Sequence, residues 1–319
     1  MKKRNWQLVF LIIVICLVIS IGVEFFARNA VTKTTDGDAP VMGMVVTLTE
    51  DDWQDEVFSE TKKCAQNSGY EVMTIQVERS RDEQIEAIRA LIVYRVDVIV
   101  LFPIVDSGWD AVLIEAQEAN IPVITADKGI RKSDVFAANY VGYNYYDDAA
   151  KAADNLAQQA RQGDMLVELY GTLGSYQAKE ITRAFRETLG QTGLEIQSSV
   201  SGDYMRSRGK EITEGFLKSN TGVDYIIAHN DAMAIGAVEA IEEQGKKAGT
   251  DVKIFAIGGG NETLSLLAEG KINCLISRDV QKLGEGIVTA ADELLRVATL
   301  ENNSFLIETE MLVKGEVES

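Results

Sequence analysis

From residue 42 onward, short apolar runs rich in β-branched residues alternate with amphipathic stretches of helical length, and the series occurs twice. Parallel strands impose this pattern, because each crossover to the next parallel strand needs a connection about as long as a helix. The first series has strand candidates at MGMVVTL (42–48), YEVMTIQV (70–77), DVIVLFP (97–103) and PVITA (122–126), with helical stretches near 53–67, 81–94 and 108–119. After the connecting stretch VGYNYYDD (141–148) come MLVELYG (165–171), LEIQSSV (194–200), DYIIAH (224–229), VKIFAI (252–257) and INCLIS (272–277), again with helices between. The expected fold class is therefore α/β: two doubly wound parallel-sheet lobes of four to six strands each, joined by a hinge. A chain of 319 residues is long enough to bury a core in each.

A different segment precedes this body. LVFLIIVICLVISIGV (8–23) is uncharged and apolar, follows Lys2, Lys3 and Arg4, and has Trp6 at the interfacial position. With Trp6, Gln7, Phe25 and Phe26 it approaches the roughly 20 residues that cross a bilayer. The following EFFARNA lacks the small-residue spacing of a cleavage site, and Cys16 follows Ile15 where a lipoprotein signal needs a small residue. Residues 1–30 are expected to be an uncleaved transmembrane signal anchor, with the basic end in the cytoplasm, the body outside, and 31–40 (VTKTTDGDAP) a linker.

Charge and composition remove several function classes. Residues 1–30 hold four cations and one glutamate, so of the formal −18 the rest of the chain carries −21. Such a body repels nucleic acid and anionic headgroups. His229 is the sole histidine, which excludes histidine metal clusters and the HExxH helix, and no GxSxG elbow offers it a nucleophile. It reads as a packed residue at a strand end. Cys64 and Cys274 fall in different lobes and are expected as free thiols. Glu50, Asp51 and Asp52 lack the spacing of a calcium loop and read as a solvated rim. No catalytic residue, metal or cofactor is expected.

In open α/β sheets, guests bind beyond the carboxyl ends of the strands, and two facing lobes enclose a cleft there. The strand-end loops contain Trp53, Gln54, Trp109, Asp127, Lys128, Tyr204, Asn230 and Arg278. Aromatic faces with carboxylates, amides and cations suit a polyhydroxylated small molecule. Either Trp53 or Trp109 could instead pack beneath its loop. Of Asn230 and Asp231, one caps the helix AMAIGAVEAI, and the cap role suits Asp231 better. Gly258, Gly259, Gly260 and Asn261 match neither GxGxxG nor GxxxxGK[ST], so a tight turn is expected there rather than a phosphate loop.

Four ordered segments carry a resemblance: VIVLFPIVDSGWDAVLIEAQEANIPVITADKGI (98–130), VELYGTLGS (167–175), SGDYMRSRGKE (201–211) and AHNDAMAIGAVEAI (228–241). From about residue 41 to its end the chain resembles the ribose/galactose-type periplasmic sugar-binding proteins of ABC importers, and among them the galactofuranose-binding branch. The resemblance implies the type I periplasmic binding fold, with lobes at 41–142 plus 279–302 and at 143–278 plus 303–319. It also implies a hinge of crossing strands near 141–145, 277–280 and 301–305, and ligand capture by hinge closure. It implies that Trp53 and Tyr204 stack a sugar ring and that Asp127 and Asn230 bind its hydroxyls. Elsewhere this chain departs: Gln54 and Lys128 stand where the family has arginines, Ile181 where it has a third, and Gly258 where it has an aspartate. A Gln/Glu-type hinge contact falls at Ser277 and Arg278, so Arg278 is expected to replace one lost cation from the opposite side. At about 1.5–3 kcal/mol per charged hydrogen bond, losing an arginine and an aspartate would weaken a family sugar appreciably. The expected role is a membrane-anchored solute-binding protein for a monosaccharide, serving an ABC permease. The alternative is a ligand-sensing co-receptor for a membrane histidine kinase.

Overall fold

The computed structural model describes residues 39–48, 52–131, 139–219, 222–296 and 304–315. The expected anchor at 1–30, most of the linker and the acidic residues 50 and 51 lie outside these. Among the described residues no helix is long and apolar enough to cross a membrane.

The first half runs β1 (Val41–Thr47), α1 (Asp52–Asn67), β2 (Glu71–Val77), α2 (Arg81–Tyr94), β3 (Val98–Leu101), α3 (Asp110–Glu118), β4 (Val123–Asp127) and β5 (Asn139–Gly142). The chain then crosses into α4 (Tyr145–Ala157), β6 (Leu166–Tyr170), α5 (Tyr176–Gly190), β7 (Ser198–Ser201) and α6 (Arg206–Lys218). It continues through β8 (Tyr225–Ala228), α7 (Asp231–Glu243), β9 (Lys253–Gly258), α8 (Asn261–Ala268) and β10 (Cys274–Ser277). A second crossing leads to α9 (Val280–Arg296) and β11 (Ser304–Leu306), and a third to β12 (Glu310–Val313).

Two six-stranded sheets result, ordered β11-β5-β4-β3-β1-β2 and β12-β10-β9-β8-β6-β7. This is the α/β architecture expected from the alternation. Strands such as β3, β4 and β8 are buried along their whole length, as parallel strands covered by helices on both faces must be. One apolar cluster spans both halves through α1, α4, α5 and α9, and a further cluster fills the other face of each sheet.

The edge strands differ from the reading of the sequence. β11 pairs in parallel with β5, so 304–306 belongs to the first sheet, and the third crossing runs through 307–309 rather than 301–305. β12 is antiparallel to β10 for a geometric reason. The carboxyl ends of the two sheets face each other, so a strand continuing straight across, with no helix to turn it, enters the second sheet against the direction of its neighbours.

That arrangement also turns helix starts toward the gap. Ser80, Asn144, Ser175 and Asn230 each accept a backbone N–H in the first turn of α2, α4, α5 and α7, satisfying donors that have no intrahelical partner. Cys64 on α1 and Cys274 on β10 are free thiols.

Candidate functional site

The loops beyond the two rows of strand ends converge on the Arg278 guanidinium. Arg278 follows β10, is 4% exposed, and lies with its Cζ 3.6 Å from the ring centre of Trp53, the second residue of α1. Nη1 lies 3.4 Å from Asp127 Oδ1 and 3.3 Å from the Tyr145 hydroxyl, while Nε donates to Gly258 O at 3.3 Å. On the other side Nη2 stands 3.5 Å from Asp231 Oδ2, near enough for charge attraction but without a hydrogen bond. Asp127 and Tyr145 come from the ends of β4 and the first crossing, and Asp231 from the start of α7, so a single side chain is held by both halves.

Burial by itself would weaken the guanidinium charge. The oxygens of Tyr145, Asp127 and Asp231 outweigh it and hold Arg278 above its ordinary pKa. The Tyr145 hydroxyl donates to Asp127 Oδ1 at 2.5 Å. Its pKa is driven well above the phenolic value, first by burial and then by the Asp127 charge, so it stays a donor. Tyr143, whose ring centre is 6.4 Å from that of Trp53, is raised mainly by burial as well.

Asp127 and Tyr204 have backbone φ of 62° and 60°. The left-handed region is costly for residues with a Cβ, and such strain persists where surrounding contacts impose it. For Asp127 those contacts are the bonds just described, together with the Tyr140 hydroxyl donated to its carbonyl at 2.9 Å. For Tyr204 they are Ser175, 2.9 Å from its hydroxyl, and Gly171, where an added Cβ would lie 2.2 Å from the ring. Lys128 Nζ sits 4.7 Å from the centre of the Tyr204 ring, reaching it from the opposite half. Two carboxylates and two cations thus share the buried cluster, whose formal charge is zero.

Further contacts join the rims. Arg79, after β2, donates to Thr172 Oγ1 at 2.9 Å and to Asp203 O at 2.8 Å. Lys179 on α5 reaches Asp106 Oδ2 at 2.7 Å.

Most of the residues singled out in the sequence meet here. Trp53, Asp127, Lys128, Tyr204, Asn230 and Arg278 belong to one neighbourhood, and Gln54 is buried beside Trp53 in the first turn of α1. Trp109 does not join them. It packs among Val112, Leu113 and Ile88 in the first half's core and donates its indole N–H to Val105 O at 3.0 Å, so it supports its loop from beneath.

The cap assignment also reverses. Asn230 Oδ1 accepts from Met233 N at 3.1 Å and its Nδ2 donates to Tyr204 O, whereas Asp231 Oδ1 accepts from Gly259 N and Gly260 N at 2.9 and 3.1 Å. An anion at this glycine turn would find those N–H groups already given to Asp231. The absent side chain at Gly258 is what makes room, since a Cβ there would lie 2.1 Å from Asp231 Oδ1. Tyr143 and Tyr145 were missed as site residues, although the tyrosine density of VGYNYYDD was a usable signal. His229 is buried, with Gly171 N donating to its Nδ1 and its Nε2 3.0 Å from Glu168 Oε1.

The sequence pattern of the periplasmic binding protein domain matches residues 42–299. The chain belongs to that family. It is 32% identical over 242 residues to the galactofuranose-binding protein YtfQ of Escherichia coli, covering 71% of this chain and 73% of that one. Over 234 residues it is 25% identical to the ribose import binding protein RbsB of Bacillus subtilis, covering 73% and 74%. A crystal structure from Mycobacterium smegmatis in complex with beta-D-fucofuranose superposes with a TM-score of 0.81 at 32% identity, covering 87% of this chain and 92% of that one. The periplasmic binding protein component of the arabinose ABC transporter from Shewanella sp. ANA-3, bound to alpha- and beta-L-arabinofuranose, gives 0.79 at 28%, with 86% and 92% covered. As a periplasmic binding protein the chain is a solute receptor rather than an enzyme.

Proposed function

We propose that this protein captures a neutral monosaccharide between its two lobes outside the cytoplasm and delivers it to an ABC permease. The observation that carries the reading is the buried, charge-balanced cluster of Trp53, Asp127, Lys128, Asp231 and Arg278, drawn from both sheets. A net-neutral site of phenols and paired charges favours a neutral guest with many hydroxyls over a charged one. The furanose and ribose receptors among its relatives point to a five- or six-carbon sugar able to form a furanose ring. The departures at Gln54, Ile181 and Gly258 mean that Arg278 and Asp231 do part of the recognition that the family assigns to other residues. Hinge closure about the crossings near 142–145, 277–280 and 307–309 is the capture step.

Thermal unfolding of the purified protein against ribose, arabinose, galactose, fructose and myo-inositol tests this. A ligand at a hundred times its Kd adds about 2.7 kcal/mol, a rise of about 5 °C for a body of this size. At least one furanose-forming sugar is expected to give that shift, and silence across the panel would overturn the reading.

The apolar stretch 8–23 supports a membrane tether in this proposal, checked by the mass and membrane fractionation of the expressed full chain. A second reading, a co-receptor that reports lobe closure to a histidine kinase, rests on the altered pocket, in which Arg278 covers the Trp53 ring face that a family sugar would stack on. Neighbouring permease and ATPase genes would support delivery, and a neighbouring kinase gene would support sensing.

A further inference from the structure

The crossings between the halves pass along one side of the paired sheets. β11 and β5 stand at one end of the first sheet and β12 and β10 at one end of the second, whereas β2 and β7 stand at the opposite ends. Rotation about the crossings therefore parts the loops after β2 and β7 by the largest distance, so contacts there have the longest lever over closure.

At that far side the loop Gly171–Ser175, between β6 and α5, is gripped from the first half at two points. From the end of β2, Arg79 donates to Thr172 Oγ1 at 2.9 Å and to Asp203 O at 2.8 Å, with Asp203 Oδ1 3.2 Å away. From the loop after β3, the Asp106 amide donates to Gly174 O at 2.9 Å, and its carboxylate accepts from Lys179 Nζ at 2.7 Å. Leu173, between the two gripped residues, is 72% exposed, so the loop tip contributes little apolar burial. The side chains of Arg79 and Lys179 are 24% and 44% exposed, so water can take over their hydrogen bonds as the rims part. The Arg278 cluster, deep in the gap, has no such exchange open to it.

The gripped loop is also part of the cleft wall. Gly171 N donates to His229 Nδ1 at 3.3 Å, and the Tyr204 ring packs where a Cβ on Gly171 would stand. Thr172 donates to Asp203 Oδ1 at 2.5 Å, and Ser175 Oγ lies 2.9 Å from the Tyr204 hydroxyl. Movement of the loop carries the support of Tyr204 with it.

We infer that Arg79, Asp106 and Lys179 form a rim clasp that sets the balance between closed and open lobes and gates the release of a captured guest. The loop 171–175 stays down while these contacts hold, and Arg79 and Lys179 pass to water as the hinge opens. This rests on the hinge closure proposed above and on no particular sugar.

Hydrogen exchange of the full chain at neutral pH, read by peptide mass spectrometry, tests it. The Asp106 amide bonds across the gap and exchanges when the clasp opens, whereas the ladder amides of β3 and β8 need deeper unfolding. Arg79→Met and Lys179→Met should each speed exchange in the 103–108 segment by at least about tenfold, the loss expected of one charge-assisted hydrogen bond, with β3 and β8 unchanged. Arg89→Met, which breaks a pair with Glu115 inside the first half, should leave that segment as it is. Unchanged exchange at 103–108 in both clasp variants overturns the inference. So does a rise shared by β3 and β8, since the residues would then support the fold as a whole. A sugar found by the thermal panel should leave Arg79→Met faster by the same factor, and an unchanged dissociation rate overturns the gate. A silent panel with faster exchange at 103–108 sinks the sugar reading and leaves the clasp standing.

Discussion

Replacing Arg278 with methionine tests the keystone of the cleft. The guanidinium is the counter-charge for Asp127 and Asp231 and covers the Trp53 ring at 3.6 Å. Methionine fills a similar volume with an adaptable apolar chain, so the cavity contribution is small. What remains is a buried pair broken from one side, which costs about 3–5 kcal/mol, with the lost cation–π contact part of that loss. Against a total stability of about 5–15 kcal/mol for a typical protein, such a loss moves the urea midpoint plainly. Urea unfolding at pH 7 should therefore show Arg278→Met less stable by about 3–5 kcal/mol with an unchanged m-value. Adding Asp231→Asn should return at least about 1 kcal/mol, because the second carboxylate is then no longer an uncompensated charge. A loss below about 1 kcal/mol, or a double variant no better than the single, would refute the reasoning that the arginine holds the two halves' carboxylates together.

Two further outcomes follow from the same geometry. Burial alone would raise the Glu168 pKa, but the hydrogen bonds from His229 Nε2 and from the Ser199 and Thr182 hydroxyls outweigh it, bringing the group from about 4.5 to about 2. A depressed folded pKa contributes stability above pH 4.5 that is lost as pH falls toward 2, about 3 kcal/mol in all, so Glu168→Gln should flatten the pH dependence of urea stability in that window. Gly258→Ala would place a Cβ on Asp231 Oδ1, displacing the carboxylate from Gly259 N and Gly260 N, and should cost about 2–4 kcal/mol by the same measurement, whereas Gly190→Ala, with nothing within 4 Å, should be near neutral.

The alternation of apolar runs with amphipathic stretches determined the fold class from sequence, since parallel strands buried on both faces read as continuous apolar segments whatever surrounds them. The loops that carry the site were legible for the same reason: strand ends locate them, and Trp53, Asp127, Lys128, Tyr204 and Arg278 could be picked out there. The edge strands were not legible. β11 and β12 are three and four residues long and largely exposed, so their hydrophobic signal is weak and only the neighbouring strand makes them strands. Nor could position along the chain tell Trp109, which packs beneath its loop, from Trp53, which lies against Arg278. Asp231 and Asn230 are adjacent and chemically alike, and which one caps α7 depends on the backbone of a glycine turn nearly thirty residues away. Tyr143 and Tyr145 acquire their partners only where the first crossing passes Asp127 and Arg278. Periodicity along the chain sets each element, but a cluster supplied by two sheets exists only once their carboxyl ends are brought face to face.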